Sequence, residues 1–206
     1  MRIVSDVKPQ RLQYVEQTRE SLVEAAERLF IAEGYQHTTL DAVGAAARFT
    51  KGAVYRHFKD KRSLFEAVFE RVAVTTLRDL LEGYEPLEDS WQSGIQTVAR
   101  YLDACTETRY RRVILEEGPA ALGLSRWREL DRQYAGRVLE QILADLMKRR
   151  ELPEYPVELL ASLCCAVIGE GVLQIAAADD PARTRAETID LLTKLLSGLR
   201  VTAAAS

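Results

Sequence analysis

Apolar positions recur along this chain at intervals of three and four, and no stretch alternates as a half-buried strand would. From about Arg11 to Glu33, Val15, Leu22, Ala26, Leu29 and Phe30 form one stripe, and Gly34 marks its end. Residues 1–10 read as a loose arm closed by Pro9, and Tyr35 is expected to pack under the turn. Two short helix signals follow. Thr38 stands as the cap of the first, with Asp41 in the capping-box position and Leu40, Val43 and Ala47 apolar. Thr50 stands as the cap of the second, over about Lys51 to His57, which turns Val54 and Phe58 inward. Helices this short neither bury a core nor persist in water alone, so they need the long helices on either side. Asp60 caps a fourth helix, about Lys61 to Glu82, with Leu64, Phe65, Val68, Phe69 and Val72 facing in. Gly83 and Glu85-Pro86 end it.

Five more helices follow. Ser90 opens one that ends near Cys105, striped by Trp91, Ile95, Val98 and Leu102. The next spans about Thr108 to Glu117, and Gly118-Pro119 is expected to break it before a short turn, Ala120 to Gly123. A long helix from Ser125 to near Arg150 is roughly 39 Å at 1.5 Å per residue. After a connection with two prolines, Val157 to Ala178 is apolar on almost every face. Pro181 to Leu199 begins with Asp180 before a proline at its first position. The pattern is all-α, about nine helices. Two such apolar helices near the end exceed what one small core requires and point to an oligomer interface, the alternative being that they cover the core of a single chain.

Composition and charge sharpen this. The 206 residues are 47% hydrophobic with six prolines and no low-complexity tract, enough to bury a substantial core. With 28 basic and 31 acidic side chains the chain has no overall positive charge. Yet from Gly44 to Leu64 there are six basic residues (Arg48, Lys51, Arg56, Lys59, Lys61, Arg62) against one acid, Asp60. Local charge is what meets phosphate. The two short helices therefore read as a helix-turn-helix whose second helix enters a DNA major groove. A solvated basic face on an ordinary helical hairpin explains charge and periodicity equally well. Three cysteines make no disulfide framework, and Cys164 and Cys165 read as small core residues. No apolar leader precedes the first charges, so the chain is expected to be cytoplasmic. In Leu159–Ala178 the uncharged part stops at Glu170, which favours a buried helix over a membrane span.

The run TTLDAVGAAARFTKGAVYRHFKDKRSLFEAVF, from Thr38 to Phe69, resembles the N-terminal domain of the TetR family of transcriptional regulators. The likeness rests on Thr38–Thr39, Leu40, Val43, Thr50-Lys51-Gly52, Val54-Tyr55, His57-Phe58, Lys61 and Leu64-Phe65, and the preceding helix extends it back to about Leu12. Two positions depart from it. The usual glycine of the turn is Arg48, which carries strain if the turn stays left-handed, or else caps the turn differently and places a cation near phosphate. The usual alanine of the first short helix is Gly44, which permits close packing. The resemblance implies an N-terminal three-helix helix-turn-helix domain at 11–60 and a larger helical ligand-binding and dimerisation domain at 61–200. It implies that the last two helices, about 157–200, pair with their copies to make a homodimer. Such a dimer reads a palindromic double-stranded operator and represses until a small molecule binds the larger domain, the fourth helix carrying the movement. It also makes Thr39, Tyr55, His57 and Lys61 phosphate contacts.

From the residues themselves, Thr50, Lys51, Ala53 and Arg56 fall near the exposed face of the second short helix. Gly52 allows close approach of the nucleic-acid backbone, and Thr38 and Arg48 complete the DNA-binding set. Arg56 can read guanine or hold a phosphate, and sequence does not separate the two. A positive Lys61 at a helix start opposes the helix dipole, a conflict that a nearby phosphate would relieve. In the larger domain Trp91, Tyr101, Tyr110, Trp127, Tyr134 and Met147 are candidate pocket lining, though residues of these types at such spacing are more often plain core. Glu170, inside an apolar helix, needs a partner: a cationic ligand, an arginine, or an interface edge. An apolar or aromatic small molecule is the expected effector. Catalytic and metal motifs are absent, and the adjacent Glu116 and Glu117 point about 100° apart on a helix. The chain is thus read as a regulator without catalytic residues, metal or cofactor. A helical interaction module that never binds DNA, and a small helical enzyme, are the readings from other classes.

Overall fold

Gly34 leaves the helical region (φ 80°, ψ 166°) and divides the first helix, α1 (Val7–His37), three residues from its end. This is the break expected at Gly34. At the other end helix already spans residues 7–10, which the sequence reads as part of a loose arm. The computed structural model describes residues 7–82 and 89–200, with side chains from residue 12 onward, and its described elements are all helical. The rest of the expected arm, the break at Gly83–Pro86 and the C-terminal tail lie outside the described residues.

The short helices are α2 (Leu40–Ala46) and α3 (Lys51–His57). Thr39, not Thr38, caps α2: its hydroxyl accepts from the Ala42 N–H at 3.1 Å. Thr38 is fully buried, and its hydroxyl donates to the Gly34 carbonyl at 2.9 Å. That carbonyl also accepts the Thr38 N–H at 3.3 Å, so the first of the two threonines is held in the core by both its backbone and its side chain. Thr50 caps α3 as expected, accepting from Ala53 N–H. Between the helices the chain makes a Schellman turn. The Phe49 N–H bonds the Gly44 carbonyl at 2.8 Å and the Arg48 N–H the Ala45 carbonyl at 3.1 Å, with Arg48 in the left-handed region at φ 60°. Gly44 is needed here, because a Cβ would stand 2.9 Å from Val54 Cγ2 and 3.2 Å from the Phe49 carbonyl.

Asp60 caps α4 (Lys61–Leu81) in a reciprocal box with Ser63. Its apolar face meets α1, and the Phe65 ring lies edge-on to Phe30 and Tyr35 at 5.1 and 5.2 Å between centroids. Tyr35 thus packs under the turn as expected. The helix α5 (Ser90–Thr106) follows.

Two helices differ from their expected form. In α6 the backbone runs on through Thr108–Tyr110, a π-helical stretch Arg111–Glu117 and Gly118–Leu122. Gly118-Pro119 therefore does not break it. An i→i+5 ladder would next join the Ile114 carbonyl to the N–H of residue 119, which proline lacks. Instead the Trp127 indole Nε1 donates to the Ile114 carbonyl at 2.7 Å. Gly118 makes room for it: a Cβ would lie 2.7 Å from Trp127 Cδ1. The long helix, α7, likewise consists of Leu124–Asp131, a π-helical turn Arg132–Gly136 and Arg137–Lys148. It ends in a second Schellman turn with Arg150 at φ 61°.

The last two helices are α8 (Val157–Ala177) and α9 (Pro181–Ser197). In this chain α8 is not the wholly buried helix expected. Ile168, Val172 and Ile175 face the core, while Leu159, Leu163 and Val167, four residues apart, are exposed beside Leu191 and Leu195 of α9. The helix is long and apolar enough to cross a membrane by length and composition. One continuous core runs from Leu22 and Val43 through Phe65 and Val68 to Val113, Ile168 and Val172, so α4 belongs to both ends of the molecule. A smaller cluster gathers Trp91, Leu143, Leu146, Leu152 and Ala161.

Candidate nucleic-acid interface and ligand cavity

The exposed face of α3 is built by its two caps and its one buried residue. Val54 is fully buried and Phe58 closes the helix against the core, so Lys51, Gly52, Tyr55 and Arg56 are left on the outside. Ala53 and His57 are half-buried at its flanks. Lys51 Nζ bonds Asp41 Oδ2 at 2.8 Å, which ties α3 to α2 and raises the lysine pKa through that hydrogen bond. Arg48, Arg56 and Lys59 are exposed, and no ion pair or hydrogen bond engages their side chains among the described residues. In front of Gly52 a Cβ would meet nothing within 4 Å, so the protein itself places no demand for glycine there. Thr39, Tyr55, Lys59 and Lys61 line a shallow recess beside the start of α2.

Two of the sequence-derived DNA residues are placed differently from expectation. Thr38 is buried, so its side chain cannot touch a nucleic acid in this conformation. Lys61 Nζ donates to the carbonyls of Tyr35 (2.7 Å) and Gln36 (3.2 Å) and sits 4.4 Å from the Tyr35 ring centroid. The conflict between Lys61 and the α4 dipole is thus relieved by the carbonyl end of α1, without a phosphate.

In the larger part of the chain a cavity of about 550 Å³ lies between α5, α6, α7 and α8. Both π-helical stretches border it. Tyr101 and Tyr110 meet hydroxyl to hydroxyl at 2.6 Å, with ring centroids 6.1 Å apart and nearly perpendicular, and Cys105 is buried beside them. Burial raises both phenols well above their usual range and pushes the Cys105 thiol up to about 12, so all three are neutral. Trp127 and Glu170 also line the cavity. Of the expected pocket residues, the structure therefore brings together Tyr101, Tyr110, Trp127 and Glu170. Glu170 is exposed at the mouth and accepts the Gln174 amide at 2.7 Å, so it needs no buried partner. Trp91 belongs elsewhere, in an apolar cleft of about 300 Å³ between α5, α7, α8 and α9. Tyr134 turns to α4, where burial and a hydrogen bond to Glu70 raise its pKa to about 12.

Sequence reasoning missed Asp131. Its carboxyl lines the cavity, and burial raises its pKa from 3.8 to about 6. The signal was present: Asp131 lies four residues from Trp127 and three from Tyr134, an acid on the apolar side of its helix. The arginines of 109–112 are not ligand groups. Arg109 bonds Glu27 of α1, Arg111 pairs with Glu116, and Arg112 bridges Glu116 and Glu117. Among the described residues no group of three His, Cys, Asp or Glu side chains is placed to hold a metal ion.

A capped pair of short helices with a cationic outer face, seated on a helical body with an internal cavity, defines a helix-turn-helix DNA-binding regulator. Residues 22–68 match the family model described as bacterial regulatory proteins, tetR family, and residues 91–199 match the tetracyclin repressor-like C-terminal domain. The chain belongs to the TetR family of transcriptional regulators. It is 28% identical over 152 residues to the Transposon Tn10 TetC protein of Escherichia coli, covering 71% of this chain and 74% of that protein. A crystal structure of a TetR-family transcriptional regulator from Pectobacterium atrosepticum superposes with a TM-score of 0.75 at 28% identity, covering 92% of this chain and 97% of that one. RolR, solved with resorcinol, superposes at 0.66 over 94% of this chain and 92% of its own, with 17% identity, a likeness of fold alone.

Proposed function

We propose that this regulator is a cytoplasmic homodimeric repressor of a palindromic operator, released when a small apolar or aromatic molecule enters the cavity among α5–α8. The observation that carries it is the outer face of α3. Arg48, Arg56 and Lys59 stand exposed, and unpaired among the described residues, around Gly52, where the backbone is open to close approach. Lys51 ties this face to α2 through Asp41. Thr39, Thr50, Tyr55 and His57 surround it and supply phosphate contacts, Ala53 flanks the base edges, and Arg56 is the candidate for reading guanine. Lys61 acts through the recess it shares with Thr39 and Tyr55, as a hinge clamp that can also meet phosphate.

The functional division falls at the start of α4, with residues 11–60 as the DNA-binding unit and 61–200 as the ligand-binding and dimerisation unit. Leu159, Leu163 and Val167 with Leu191 and Leu195 form an unpartnered apolar face on α8 and α9. A second copy of the chain is its occupant, burying about 157–200 in a four-helix interface. RolR's resorcinol, an aromatic ligand in a protein of this fold, supports an aromatic effector here.

Selection of bound sequences from fragmented DNA at about 0.1 M salt tests the reading. An enriched palindrome with two half-sites one helical turn or a multiple apart is expected. Binding should fall steeply with salt, and an Arg56→Ala variant should lose discrimination at one base position of each half-site. A dimer that enriches nothing, even after unfolding and refolding to strip bound ligand, would instead favour a helical interaction module.

A further inference from the structure

Of the charged side chains that line the cavity, Asp131 and Glu140 are half-buried, Arg128, Arg132 and Glu170 are exposed, and Asp131 is the one whose carboxyl pKa burial raises. Asp131 sits at the junction of the first segment of α7 with its π-helical turn, and its carboxylate accepts no hydrogen bond or ion pair among the described residues. Asp131 is half-buried, and a carboxylate shielded from water and left unpaired is costly, so a group that pairs with it is favoured there. The neighbouring polar atoms are of matching kind. The Tyr101 and Tyr110 hydroxyls are already paired with each other, so between them they offer more acceptor sites than free protons. The Trp127 indole N–H is spent on the Ile114 carbonyl, which leaves its ring but no donor for a ligand.

The charged groups around the rim do not reverse this. Arg128 and Arg132 line the cavity only as exposed side chains, and neither pairs with Asp131. Glu140 and Glu170 add two carboxylates to that of Asp131, so acids outnumber bases by three to two. An anionic ligand would meet this excess in a site of low dielectric. A cation with N–H donors would satisfy the half-buried carboxylate, the phenol oxygens and the aromatic faces together.

Resting on the reading of this cavity as the effector site, the geometry points to an effector that is an organic cation: an aromatic or alicyclic body carrying a protonated amine that pairs with Asp131. The apolar body fills the space beside Leu115, Pro119 and Trp127, and the ammonium lies against the acid and the two phenols. Removing Asp131 should then cost amine binding while leaving the apolar site intact.

The test uses the full-length protein and arylalkylamines of about 10–20 heavy atoms, a size suited to a cavity of this class. Each amine is accompanied by its alcohol and carboxylate of equal shape. Calorimetry at neutral pH should show amines binding at least tenfold tighter than their alcohols, with carboxylates weakest. In Asp131→Asn the amine preference should vanish while alcohol binding persists, which also shows that the variant is folded. Alcohols that match amines in the wild type, or a preference that survives in Asp131→Asn, overturn the cationic effector and leave the cavity as a site for neutral molecules. A preference lost in Glu170→Gln but not in Asp131→Asn overturns the assignment to Asp131. If no amine, alcohol or carboxylate binds, the effector-site reading of the cavity fails and the inference falls with it.

Discussion

The backbone N–H of Tyr35 donates to Glu117 Oε2 at 3.2 Å, across 82 residues of chain. The carbonyl of the same Tyr35 accepts from Lys61. One residue just beyond the Gly34 break is thus held by α6 on its N–H and by α4 on its carbonyl. The approach needs Gly34, since a Cβ there would lie 2.8 Å from Glu117 Oε1. Because α6 also forms a wall of the cavity, through Tyr110, Leu115 and Pro119, this contact joins the cavity to the helix that seats the DNA-reading pair. Arg62, whose guanidinium donates to the Leu122 carbonyl at 2.6 Å, adds a second tie from α4 to the end of α6. A Glu117→Ala variant should lose about 1–2 kcal/mol of stability by urea unfolding, the cost of orphaning a partly buried N–H. It should also narrow the ratio of operator affinities measured with and without effector. An unchanged ratio would place the coupling elsewhere along α4.

Arg48 and Arg150 occupy the same position in two Schellman turns, at φ 60° and 61°. A non-glycine residue there carries strain on the order of 1 kcal/mol, part of which glycine would return as unfolded-chain entropy. Arg48→Gly and Arg150→Gly are both expected to change stability by about 0–1 kcal/mol in the stabilising direction, read by thermal unfolding. Only Arg48→Gly should weaken operator binding, lowering the slope of log affinity against log salt by about one. Equal DNA affinities for the two variants would remove Arg48 from the interface.

These turns show which parts of the chain are locally written. The caps at Thr50 and Asp60, the stripe of α5 and the proline start of α9 depend on residues within one turn of each other, and the sequence states them outright. The choice between Thr38 and Thr39 is not local. It depends on the turn at Gly34, whose carbonyl accepts both the N–H and the hydroxyl of Thr38 and holds that threonine inward. The π-helical stretches leave the apolar spacing almost unchanged, so periodicity passes over them. Gly118-Pro119 reads as a break because the missing N–H has no visible substitute, whereas its substitute comes from Trp127 in the next helix. At the site, the cationic face of α3 was legible from charge alone. The cavity was half legible: aromatic residues mark it, but Trp91 and Tyr134 obey the same spacing and face other neighbours. Asp131, which gives it its charge, looks in sequence like any polar residue of a helix.

The substitution of an indole N–H for a proline's missing one can be measured. Trp127→Phe should leave the Ile114 carbonyl unpaired and cost about 1–3 kcal/mol, including lost packing against Gly118. Pro119→Ala restores a backbone N–H within reach of the same carbonyl. In the double variant the cost of Trp127→Phe should therefore shrink, with a coupling energy of about 0.5–1.5 kcal/mol in a double-mutant cycle by urea unfolding. Strict additivity would show that the carbonyl finds water or another donor, and that the two residues are independent.

Asp131 gives the sharpest dependence on pH. Its pKa is raised by burial from 3.8 in the unfolded chain to about 6 in the folded one. Between these values the folded state binds more protons than the unfolded state, so this residue lowers stability as pH rises from about 4 to about 6. The loss is complete above 6 and amounts to about 2–3 kcal/mol, from a shift of about two units at 1.36 kcal/mol each. An asparagine side chain cannot ionise, so the Asp131→Asn variant should match the wild type near pH 4 and exceed it by that margin at pH 7.5. Urea unfolding of both proteins at one fixed concentration across this range checks it, since every other carboxyl cancels in the difference and the contribution of the dimer is held constant. Parallel stability curves would mean that the carboxyl is solvated or paired in the folded protein. A bound amine should narrow the gap from the other side, by stabilising the wild type above pH 6 more than it stabilises the variant.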